Sequence, residues 1–171
     1  MKAFYAAHGT VIVIAQAIGV LALIPLVMLA RALDRRARAS DEAGRRWIKP
    51  AAVLVVITEI VTNAVPVVIV TMSSATPASA HSLTKLEDIA DAILFVALAM
   101  FTVAVARGQV PWLVGVGLAS AGLMLVHAAV SLFGVSALEA VAPFSFVVFL
   151  LLLSIRMLVQ PIPEPKAAPT A

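Results

Sequence analysis

Glu59 lies in the middle of an apolar run, Ala51 to Met72, that is long enough to cross a bilayer. A charged carboxylate at that depth is costly, and ionisable groups within membrane spans mark proton relays and transport pathways. Glu59, Thr62, Asn63 and Pro66 recur at i, i+3, i+4 and i+7, which sets them on one face of a helix. Ser120, Met124, His127 and Ser131 share a face in a second apolar stretch. No Lys or Arg lies at comparable depth, so Glu59 is expected to be protonated, or hydrogen-bonded to His127, Asn63 or water. A carboxyl group beside an imidazole is a natural proton acceptor and donor.

Gln16 and Asp91 complete the polar set expected in the interior: Glu59, Asn63, His127, Gln16 and Asp91. Each also has a plainer explanation. Asn63 and Gln16 suit hydrogen bonds that tie helices together. His127 suits a neutral imidazole bonded to a neighbouring helix. Asp91 suits the first turns of a helix, where the macrodipole favours an anion. Glu59 itself could be a structural, protonated acid.

A second chemistry is metal or haem binding. His8, His81 and His127 all map to the outer side or outer half, with Glu87, Asp88, Asp91 and Glu139. Imidazole and carboxylate suit a transition metal. His127 and His8, on two helices, suit the axial positions of a b-type haem. No local ligand spacing such as H-E-x-x-H or H-x-x-x-H occurs, so the cofactor stays open. Cysteine is absent, which removes disulfides, thiolate metal sites and a thiol nucleophile. No Walker A loop, Rossmann glycine fingerprint or G-x-S-x-G elbow is present.

The elements that must position these residues are long apolar runs. Of 171 residues, 63% are hydrophobic and 12% charged, about half the charge of a soluble domain. Five segments approach or exceed the roughly 17–25 residues of a spanning helix: Thr10–Ala30, Ala51–Met72, Ile89–Ala106, Val110–Phe133 and Val141–Val159. They are continuous rather than alternating, which predicts helices. The fold class is therefore an all-α polytopic membrane bundle over residues 1–160, with 161–171 a proline-rich, disordered cytoplasmic tail. The third span is the shortest, and a four-span arrangement would make it re-entrant. Thr84 and Glu87 have capping-box spacing and predict that it begins just after Thr84. The stretch Ser73–Ser82 reads as a polar outer loop. Pro50 and Pro111 can open the second and fourth helices.

Charge gives the orientation. The segment Arg31–Lys49 carries seven of the twelve Lys and Arg residues, which places it in the cytoplasm. The N-terminus is then outside and the C-terminus inside, with Arg107, Arg156 and Lys166 inside and only Lys2 and Lys85 outside. Trp47, Trp112 and Tyr5 fall at the interfaces. Thr10–Ala30 does not read as a signal peptide, since its positive charge follows the apolar run. The net charge of +3 is explained by the basic loop, so no nucleic-acid partner is expected. That loop suits topology and attraction to anionic headgroups, or, alternatively, docking of an acidic partner.

Counting from the cytoplasmic ends puts Glu59 about 14 Å deep, Asn63 about 20 Å, Gln16 about 22 Å, and Asp91 and His127 about 24 Å. Gly115, Ala119 and Gly122 form a stripe of small residues that suits internal helix packing, or alternatively a dimer.

The reading preferred is a non-enzymatic membrane component. It is a proton-coupled transport module centred on Glu59, or a subunit of a larger membrane complex. Five helices are few for a transporter, so a homo-oligomer or partner membrane subunits are expected beside membrane lipids. The first alternative is a redox protein holding haem or a metal on its outer side. The second is an intramembrane enzyme acting on a lipid or quinone, for which Glu59 and Asp91 lie about 10 Å apart along the normal. A composition rich in Ala, Val and Arg suggests the inner (plasma) membrane of a bacterium.

Overall fold

The computed structural model describes residues 2–39, 46–71, 77–133, 138 and 140–159. Five helices are present, α1 (Lys2–Ala39), α2 (Ile48–Thr71), α3 (Pro77–Ala106), α4 (Pro111–Ser131) and α5 (Val141–Val159), and no strand occurs among the described residues. All five are long and apolar enough to cross a membrane. The tail 161–171 lies outside the described residues.

In lipid the backbone must satisfy its own polar groups, and continuous helices do so. The outward surface is accordingly apolar. Ile18, Leu21 and Met28 on α1, Val53 and Ile57 on α2, and Leu151 and Ile155 on α5 are all exposed. A soluble protein does not show apolar surface on this scale, so the exposed faces meet lipid.

Packing follows chain order: α1 lies on α2, α2 on α3, α3 on α4 and α4 on α5. The most enclosed helix is α3, and its alanines explain why. Ala90, Ala92, Ala97, Ala99, Ala104 and Ala106 are buried, and small side chains let neighbouring backbones come close. Phe101 fills the interior and meets Phe146 of α5 edge-on, with ring centroids 6.4 Å apart. On α2 the buried positions Ala51, Ala52, Val55, Thr58, Asn63 and Pro66 keep helical spacing. α1 and α5 close the two ends of the series.

Three expectations about the helices need correction. α1 runs to Ala39, so Arg31, Arg35, Arg36 and Arg38, read as part of a basic loop, are helical. α3 begins at Pro77, not after Thr84, so Thr84 and Glu87 are interior residues and form no capping box. The third span is therefore long rather than short, at 30 residues or about 45 Å. Residues 77–82, read as loop, are helical. The small-residue stripe also faces the other way. Gly115, Ala119 and Gly122 are exposed, and a Cβ at Gly115 or Gly122 would meet nothing within 4 Å. The glycine that permits packing on α4 is Gly117, where a Cβ would come 2.7 Å from Ala106 Cβ and 2.9 Å from a Phe149 ring carbon.

The proline expectations hold. Pro111 opens α4, and Pro50 lies in the first turn of α2. Trp47 and Trp112 are more than half exposed, at 55% and 54%, as suits rings at an interface. The side chain of Tyr5 lies outside the described ones.

Candidate functional site

Three adjacent helices, α2, α3 and α4, carry the polar residues. On α2 the carboxamide of Asn63 turns back one helical turn. Its Nδ2 donates to the Glu59 backbone carbonyl at 2.7 Å and to Glu59 Oε1 at 2.9 Å. The i, i+4 spacing makes this pair possible. Asn63 is buried and Glu59 is half-buried. These bonds of Asn63 thus run within its own helix rather than between helices.

Pro66 adds a further acceptor to this face. It has no N–H, so the carbonyl of Thr62 lacks the donor that would normally reach it from four residues on. Thr62 Oγ1 meanwhile donates to the Thr58 carbonyl at 3.0 Å. The face therefore presents a carboxyl, a carboxamide, a hydroxyl and a backbone carbonyl within two turns.

α1 seals this face through a glycine. A Cβ at Gly19 would fall 2.5 Å from Asn63 Oδ1. Only a hydrogen in place of a side chain lets α1 lie so close to the carboxamide. Gln16 is half-buried one turn earlier on the same packed face, which continues through Leu23, Ala30 and Leu33.

α3 and α4 contribute the second half of the site. His127 is 2% exposed. Its Nε2 lies 3.6 Å from Asp91 Oδ2, an ion pair when the imidazole is protonated. Phe95, one turn along α3 from Asp91, meets the imidazole edge-on with ring centroids 4.2 Å apart and planes at 69°. Asp91 and Phe95 thus hold the ring from two sides of one helical turn. The other ring nitrogen, Nδ1, is buried with no hydrogen-bond partner among the described residues. With the proton on Nε2 facing the carboxylate, Nδ1 is a bare acceptor.

The side chain of Asp91 is one-third exposed, at 33%. Glu87 stands one turn nearer the start of α3, and α3 packs on α2, which carries the Glu59–Asn63 pair. The longer α3 changes the account of Asp91. It is the fifteenth residue of the helix, counting from Pro77, so no helix N-terminus explains its charge. What it faces is His127.

The remaining histidines stand elsewhere. His81 is exposed in the first turns of α3, and His8 is exposed on α1, which packs on α2. Among the described residues no three His, Asp or Glu side chains come close enough to hold a metal ion. Sequence reasoning missed Gly19 and Phe95. A glycine within an otherwise apolar span was the available signal for the first, and the i+4 spacing from Asp91 for the second.

Comparison with models of protein families, with curated proteins and with solved structures finds no match.

Proposed function

We propose that this small multi-pass membrane protein is a non-enzymatic proton-handling component. It acts as a proton-coupled transport module, or as the proton-conducting subunit of a larger complex, in the inner membrane of a bacterium. The observation that carries the reading is buried His127 against Asp91 at 3.6 Å, on helices packed beside α2 and its Glu59–Asn63 pair. Charges in a medium of low dielectric act strongly on one another. Gain of a proton at one member changes its cost at the next.

The route runs from the outer side inward. Glu87 is the outermost acid, Asp91 follows, and Glu59 is the terminal acid on α2. His127 holds Asp91 by accepting or releasing the proton between them. Asn63 and Gly19 fix Glu59 and close the path toward α1. Five helices arranged in a series leave broad faces for a second copy or partner subunits, which would complete a translocation path.

The test is infrared difference spectroscopy of the reconstituted protein as the outer pH is stepped. A protonated-carboxyl stretch should appear and vanish with pH, and Glu59→Gln should remove it. Asp91→Asn should leave the band but slow its response about tenfold, which corresponds to 1.4 kcal/mol on the barrier. A band that survives Glu59→Gln, with an unchanged rate in Asp91→Asn, would reject the relay.

A further inference from the structure

Away from the polar interior, α1 and α2 enclose a cleft of about 550 Å³ near the cytoplasmic end expected from charge. Its volume lies within the roughly 300–1,000 Å³ of small-molecule sites. The two walls carry the same gradient. On α1, Val27, Arg31 and Arg35 follow at successive turns, so the lining passes from apolar to cationic. On α2, Lys49, Val53 and Ile57 follow at successive turns in the opposite chain direction, from cationic to apolar. The helices are antiparallel, so both walls are charged at one end and aliphatic at the other.

Charge at the mouth is one-sided. Among the described residues that line the cleft, Arg31, Arg35 and Lys49 stand with one carboxylate, Asp34. Arg35 Nε donates to the Arg31 carbonyl at 3.5 Å, which lays this guanidinium along the α1 wall. Buried Ala30 and Ala52 form a narrow floor, and Val53 and Ile57 continue onto exposed surface at 50% and 55%. A ligand that fits has a compact anionic head and aliphatic chains that run outward into lipid.

We infer that this cleft is a binding site for an anionic glycerophospholipid of the inner leaflet, with its phosphate held by Arg31, Arg35 and Lys49. Guanidinium pairs recognise phosphate oxygens bidentately, and lysine adds a point charge. Basic pockets between helices on the cytoplasmic side suit such headgroups. The aliphatic wall distinguishes this site from a merely basic loop, which would attract the surface without selecting a lipid. The inference is independent of the proton relay and depends only on the membrane placement and the orientation expected from charge.

The test is native mass spectrometry of the full chain released from nanodiscs of mixed phosphatidylglycerol and phosphatidylcholine. Phosphatidylglycerol should be retained in preference to phosphatidylcholine, and Arg31→Gln/Arg35→Gln/Lys49→Gln should lower that retention at least tenfold. Arg46→Gln, an exposed cation outside the cleft lining, should leave it unchanged. Val56→Trp keeps every charge and fills the cleft, so it should also release the lipid; Lys49→Gln alone should weaken retention and serves if the triple variant does not fold. Equal retention of the two lipids would overturn the inference. So would loss on Arg46→Gln as large as in the triple variant, retention in Val56→Trp, or displacement by excess inorganic phosphate.

Discussion

Glu59 and Asn63 show how one residue pair can set the character of a membrane helix. The carboxamide bonds both the backbone and the side chain of Glu59, and Gly19 makes room for it. Gly19→Ala forces a methyl against a buried, doubly bonded carboxamide, and overpacking of this kind costs about 1–3 kcal/mol. Asn63→Ala removes the donor and costs a similar amount, about 1–3 kcal/mol. The two changes touch one contact, so the double variant should lose less than the sum. Unfolding by denaturing detergent would measure all three. Gly115→Ala, where the added carbon meets nothing within 4 Å, should stay within about 0.5 kcal/mol of the parent. Strict additivity of Gly19→Ala and Asn63→Ala would show that the approach of α1 does not run through the carboxamide.

At the scale of elements, the five spans were legible because uninterrupted apolar runs have few alternatives in lipid. Faces within a helix were legible too. The spacing of Glu59 and Asn63, and of Ser120, Met124 and His127, predicted which residues turn inward. What periodicity cannot supply is which faces meet. The pairing of Asp91 with His127 therefore became visible only in three dimensions. The start of α3 was missed because residues 77–88 are polar, and because Thr84 and Glu87 imitate a cap. Small residues misled for a related reason: Gly115, Ala119 and Gly122 would permit close packing, yet Gly117 is the one that uses it. A single substitution tests the corrected boundary. Lys85→Pro would be welcome at a first helical position, but inside α3 it should cost about 3 kcal/mol or more. Thermal unfolding of that variant at parental temperature would restore the shorter helix.

The orientation expected from charge makes the whole molecule asymmetric across the membrane. Ten of its twelve Lys and Arg residues fall on the side assigned to the cytoplasm, and two on the other. The absence of cysteine gives a clean background for testing that assignment. Arg46→Cys and His81→Cys each place a thiol at an exposed position. In intact cells or oriented vesicles, an impermeant maleimide should label His81→Cys from outside, and Arg46→Cys only after the membrane is opened. The reverse pattern would invert the chain and move the acidic entrance of the proposed relay to the cytoplasm.

Neighbour-on-neighbour packing has one more consequence. Every principal helix contact joins segments adjacent in the chain, so no early helix must wait for a distant late one. Folds built from such local contacts assemble quickly, and chains fold from the N-terminus as they are synthesised. The α1–α2 hairpin can form before α3 leaves the ribosome. Glu59 would then enter the bilayer already bonded to Asn63 and sheltered by Gly19, and each later helix would dock onto a finished surface.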